Sequence, residues 1–168
     1  MIFRALLSAV TLAAFVAPAA AHITLEDSEA APGERYKAVL RVGHGCSGSP
    51  TTTIRVQIPD GITAAQPMPK HGWEIEIVHA PLDPPLVDGD REITERISEI
   101  HWLGGKLPEE YYDEFVFRTR LPDTPGATLY FPVVQECEEK VHRWIEIPAE
   151  GQNADELSEP APAVMLTN

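Results

Sequence analysis

Between residues 37 and 147 the apolar side chains recur at every second position, in short runs cut by proline and glycine. Residues 37–42 put Ala38, Leu40 and Val42 on one face, and residues 53–59 do the same with Ile54, Val56 and Ile58. Trp73, Ile75 and Ile77 repeat the pattern, as do Phe115 and Phe117. Side chains alternate across a strand, so this period marks strands with one buried face. Further runs fall at 93–103, centred on Ile97 or Ile100, at 128–134 and at 141–147. The stretch 43–50, Asp60-Gly61 and the Pro/Asp-rich stretch 81–90 read as turns and loops. No long helical period and no internal repeat interrupts them. Strand-length runs separated by turn signals predict an all-β sandwich. The 16 prolines suit its loops and edge positions. Residues 150–168, rich in Glu, Pro and Ala, are expected to form a loosely held acidic tail.

The first residues have a different character. Arg4 is followed by an apolar run from Ala5 to about Val16, then Pro18 and the small residues Ala19, Ala20 and Ala21. That succession is the pattern of a cleaved secretory signal. The run is short for a membrane-spanning helix, which needs about 20 residues. Residues 1–21 are therefore expected to be removed on export. The mature chain would then start at His22 and keep 147 of the 168 residues, enough for one domain with a real core.

Loss of Arg4 would take the net charge from −13 to −14, before the new amine is counted. Nucleic acids and anionic membranes are poor partners for such a chain, because phosphate binding needs clustered Lys and Arg. Cations are better ones. Cys46 and Cys137 are the two cysteines. In an exported chain an isolated pair reads as a disulfide, and closing so long a loop is worth roughly 4–5 kcal/mol in the chain-entropy model. The functional alternative is that both are thiolate metal ligands.

His22 is the sharpest chemical candidate. A mature N-terminal histidine offers an α-amine and an imidazole nitrogen to one metal, and such nitrogen donors favour Cu(II). The amine must lose its proton to bind, so affinity should fall on acidification. The plain alternative is an exposed terminal histidine. Glu26, Asp27 and Glu29 are the nearby carboxylates, each also readable as a solvated surface acid. On the last run, His142, Trp144 and Glu146 are expected on one strand face, with Trp144 either shielding a metal or packing in the core. Trp73 and Trp102 are expected to be core strand residues. His44, His71, His79 and His101 form no closely spaced ligand pair, Met68 is an isolated loop methionine, and neither a phosphate loop nor a nucleophile elbow is present.

The stretches AHITLEDSEAAPGERYKAVLRV, HGCSGSPTTTIRVQIPDGI, QPMPKHGWEIEI, the Ile-His-Trp of SEIHWLGG and VHRWIEIPAEG together resemble the YcnI-like domain family. The resemblance spans nearly the whole mature chain and rests on the ordered succession rather than on any one motif. It implies an exported bacterial protein with a cupredoxin-like β-sandwich that binds Cu(II). With the strand pattern, the expected fold class is an all-β sandwich, cupredoxin-like or immunoglobulin-like, spanning residues 22–149. The resemblance gives His22 the role of a one-histidine brace, Glu29 that of the carboxylate ligand, and Trp144 that of the tryptophan near the metal. Better-known relatives carry a C-terminal membrane anchor; the expectation here is a free periplasmic or secreted protein. Cys46 and Cys137, which not all members have, bear on stability more than on the site.

The leading expectation is therefore a periplasmic copper chaperone or store, not an enzyme, whose partners are copper ion and other copper-handling proteins. Two others stand beside it. An oxidative enzyme of the polysaccharide-monooxygenase type would need a second imidazole, for which His142 is the strand candidate. A structural or adhesion module would bind no metal at all.

Overall fold

The computed structural model describes residues 22–168, so the predicted signal segment lies outside the described residues. Twelve strands are formed among the described residues, in three sheets. The first sheet orders β1 (Thr24–Leu25), β3 (Arg35–Val42), β8 (Asp113–Arg120) and β5 (Ala65–Pro67). The second orders β11 (Val141–Trp144), β10 (Val133–Cys137), β4 (Thr51–Gln57), β7 (Arg91–Leu107) and β6 (Glu74–Asp88). A small third sheet holds β2 (Glu29–Ala30), β12 (Ala163–Leu166) and β9 (Thr128–Tyr130). Every pairing is antiparallel except β2 with β12.

The first two sheets face each other as a β-sandwich, as the period-two runs predict. Leu40, Ile54, Val56, Ile58, Ile100, Trp102, Phe115, Phe117 and Val133 fill the space between them. Burying one large aliphatic or aromatic side chain is worth about 1.5–3 kcal/mol, so this layer dominates stability. Cys46 and Cys137 form a disulfide, with Cα atoms 6.0 Å apart, tying the 43–50 loop to the end of β10.

Four expectations are corrected. The stretch 81–90 is not a loop: β6 continues through it and pairs Leu86 with Ile93 and Val87 with Glu92. Because β6 is an edge strand, its prolines need no ladder donor, and the irregular register between Pro81 and Leu86 absorbs the rest. The run 128–134 divides at Phe131-Pro132 into β9 and β10, which belong to different sheets. The acidic tail is not loose, and the domain does not stop at 149: β12 pairs with β9 and β2, and Val164 and Leu166 sit fully buried in the core. Finally, Trp73 precedes β6 rather than lying in it and is only half-buried, edge-on to Phe115 at 4.8 Å.

Candidate functional site

β1 and β11 are edge strands of the two facing sheets, and beside them the rings of His22 and His142 both meet Trp144. His22 leads directly into β1. Its neighbour Ile23 is 2% exposed and Leu25 is also buried, so the backbone is pinned one residue beyond the imidazole. The His22 ring lies 5.6 Å from the Trp144 ring, tilted by 56°. Trp144 closes β11 and is 5% exposed. It is a core residue, as one of its two readings had it, and its ring faces that of His22.

His142 lies two residues before Trp144 and stacks on it, with centroids 5.2 Å apart and planes 27° apart. That much follows the alternation read from VHRWIE. Glu146 does not, because β11 ends at Trp144 and the Ile145 amide turns back to the Arg143 carbonyl. Glu146 instead bridges to Pro160, and its carboxylate accepts the Glu159 backbone N–H at 2.7 Å. This bridge brings the 157–162 segment alongside β11. There Glu159 takes the His142 Nδ1–H on one carboxylate oxygen (2.6 Å) and the Arg143 N–H on the other (3.0 Å).

Behind the indole lies a buried polar chain. Trp144 Nε1–H donates to Gln135 Oε1 at 3.1 Å. Gln135, itself 2% exposed, donates from Nε2 to the His44 carbonyl (2.9 Å) and to Thr51 Oγ1 (2.7 Å). Thr51 Oγ1 in turn lies 3.6 Å from Cys137 Sγ of the disulfide. Gln135 and Glu159 were not among the predicted residues. Gln135 had a signal, a polar side chain at an inward position of VVQEC; Glu159 had none, because its segment read as tail.

The carboxylates near His22 separate by environment. Glu26 pairs with Arg41 at 3.1 Å. Glu29 lies in β2, opposite Met165, with an exposed side chain. The intervening loop is fixed by Tyr36, whose hydroxyl donates to the Asp27 carbonyl at 2.5 Å. Burial of this phenol, with the Asp27 and Glu26 charges adding to it, pushes its pKa up to about 12.

The other singled-out residues lie elsewhere. His101 bridges Glu99 and Glu76, while Met68 is exposed beside β5. His44 faces Glu109, with Nδ1 3.8 Å from its carboxylate. Among the described residues no group of three or more His, Cys, Asp or Glu side chains gathers as a metal cage.

The architecture is that of an immunoglobulin-like β-sandwich. A crystal structure of an uncharacterized protein from Nocardia farcinica, described as having an immunoglobulin-like fold, is similar at a TM-score of 0.65 and 24% identity, covering 88% of this chain and 99% of that one. The chain belongs to the family described as a domain of unknown function, DUF1775, whose model matches residues 22–166. No curated protein matches the chain. The family match runs from His22 to the end of β12, the span that the core occupies.

Proposed function

We propose that this chain is an exported Cu(II)-binding protein, a periplasmic copper chaperone or store in the manner of YcnI-like proteins. The observation that carries the reading is the seating of His22. The residue that signal cleavage would make N-terminal is anchored by Ile23 and set against a nearly buried indole. Once freed, its α-amine and imidazole would hold the ion, with Glu29 as the carboxylate ligand. Trp144 would keep water from one side. The acidic chain, at net charge −13, favours cation capture.

N-terminal sequencing of the exported protein, with Cu(II) titration of wild type and His22→Ala, tests this reading. A mature chain starting at His22 whose copper affinity collapses in the variant is the expected result. Another first residue, or equal affinity in both proteins, would overturn it. Oxygen consumption by the copper-loaded, reductant-treated protein, above that of free copper, would move the function to the oxidative enzyme.

A further inference from the structure

We propose that the outer face of the first sheet, along β8, is a docking surface for an extended acidic segment of a partner protein. This is independent of the copper reading and concerns a different part of the molecule. β5 borders the face, and β1 lies at the other end of the sheet.

The register of the sheet builds a cluster of cations. β3 and β8 place Arg35 opposite Arg120 and Lys37 opposite Arg118, and all four residues are exposed. Like charges directly opposite each other destabilise a sheet. Here four of the 13 Lys and Arg residues form two such pairs, in a chain of net charge −13. Arg41, Arg55, Lys70, Arg96 and Lys106 each reach a carboxylate of the chain. Among the described residues none of the four clustered cations has such a salt bridge, and Arg118 Nε–H donates to the neutral Gln66 side chain at 2.7 Å. An anion seated over the cluster would offset the repulsion that the chain's own acids leave in place.

Further along the same face the surface turns apolar. Side chains alternate, so Arg120, Arg118 and Val116 point the same way, at a repeat of about 6.5–7 Å. Val116 has Val39 opposite it on β3 and, on its other side, Met68, whose N–H is bonded to the Val116 carbonyl at 2.8 Å. Lys37, Arg118, Val116 and Met68, with Ile77 of β6, line a groove of about 600 Å³. An adjoining hollow of about 340 Å³ shares Arg118 and takes in Arg35 and Arg120. Met68 is 52% and Ile77 40% exposed, so the groove has apolar surface left to bury.

An extended peptide repeats its own side chains at the same spacing. A segment reading acid-x-acid-x-apolar therefore sets two carboxylates over the cation rows and its apolar side chain in the groove. Guanidinium groups suit carboxylates, which they can grip through two parallel N–H···O bonds. β5 is three residues long and ends in Pro67, so its free edge has little backbone to pair and recognition falls to side chains. Larger polyanions fit less well. At physiological salt a charge is felt over about 8 Å, so a short segment meets the cluster alone. A membrane or a nucleic acid would also meet the acids of the surrounding surface.

The test uses the purified protein without added metal and the capped, fluorescein-labelled pentapeptide Glu-Ser-Glu-Ser-Leu, read by fluorescence anisotropy at low salt. Arg118→Glu and Lys37→Glu each set an acid opposite a cation, so neither should cost stability, and circular dichroism confirms the fold. Expected are saturable binding by wild type and a loss of about tenfold or more in either variant. Lys106→Glu, on the other sheet, should bind like wild type. Replacing the peptide's leucine by serine should cost about tenfold. Absence of saturable binding, or equal affinity in wild type and a folded Arg118→Glu protein, would overturn the proposal. Should Arg118→Glu fail to fold, Lys37→Glu decides in the same way. Sedimentation with phosphatidylglycerol vesicles that Arg118→Glu abolishes, without peptide binding, would also overturn it and assign the face to a membrane. None of these outcomes bears on copper at His22.

Discussion

Gln135 and Trp144 sit on neighbouring strands with their side chains joined by one buried hydrogen bond, from the indole N–H to the amide oxygen at 3.1 Å. The same amide donates to the His44 carbonyl and to Thr51, so Gln135 uses both ends of its side chain. One polar side chain thus connects the indole that faces His22 to the disulfide loop. A buried polar group that is fully paired fixes orientation, whereas the same group left half-paired is costly.

Gln135→Leu should therefore destabilise the protein more than loss of one hydrogen bond suggests. It strands the Trp144 N–H and the His44 carbonyl, each at a cost of roughly 1–3 kcal/mol. A total of about 2–4 kcal/mol is expected in urea unfolding, with a shift of tryptophan emission as the indole loses its anchor. Near-wild-type stability would mean that Trp144 is held by packing alone.

Gly105 lies in β7 beneath the Trp73 ring. A Cβ there would stand 2.0 Å from Trp73 Cε2 and 2.2 Å from Cδ2. Gly105→Ala must push the indole off Phe115, and overpacking of this kind costs roughly 1–3 kcal/mol. Combining it with Trp73→Leu should recover most of that loss, because the two changes act on one contact. Thermal melts of the single and double variants check this; full additivity would contradict the contact.

The sandwich was legible because its central strands have one wet and one dry face. Ala38, Leu40 and Val42, or Ile54, Val56 and Ile58, show period two directly and are all buried. The outer half of β6 was not, since proline in PLDPPLVD argues against a central strand and says nothing against an edge strand. β12 was hidden by the composition around it: AVML is strand-like, but the Glu, Pro and Ala before it read as disorder. The same segment supplies Glu159, so the carboxylate behind His142 was invisible together with it. His22, His142 and Trp144 were each visible singly. Their convergence depends on how strands of two sheets are placed, which no local pattern encodes.

Glu26, Asp27 and Glu29 were the candidates by proximity, and Glu26 and Glu29 sit in different environments. Glu26 is committed to Arg41 at 3.1 Å, while the Glu29 side chain is exposed on β2. If copper is held as proposed, Glu29→Gln should weaken Cu(II) binding about tenfold, as loss of one supporting ligand does, and Glu26→Gln should leave it nearly unchanged. Chelator competition on both variants decides; the reverse ranking would assign the ligand to Glu26.

Tyr36 gives the fold an alkaline limit with a defined sign. Its phenol is 6% exposed and donates to the Asp27 carbonyl, and burial beside Asp27 and Glu26 raises its pKa to about 12 from the ordinary 10. Below pH 10 the group is protonated in both the folded and unfolded chains, and its contribution is fully present. Between about 10 and 12 the unfolded chain releases this proton while the folded chain keeps it, so the unfolded state binds fewer protons and stability falls as pH rises. Tyr36→Phe removes this dependence together with a hydrogen bond worth about 1 kcal/mol. At pH 8 the variant should thus be the less stable protein. The gap should narrow above pH 10 and level off past 12. Urea unfolding of the two proteins across this range tests it; a constant gap would mean that Tyr36 titrates alike in both states. Because the same hydroxyl fixes the loop that leads into Glu29, the variant should also loosen β2 from β12. Faster amide exchange at Met165, whose N–H is bonded to the Ser28 carbonyl at 2.8 Å, would report that loosening.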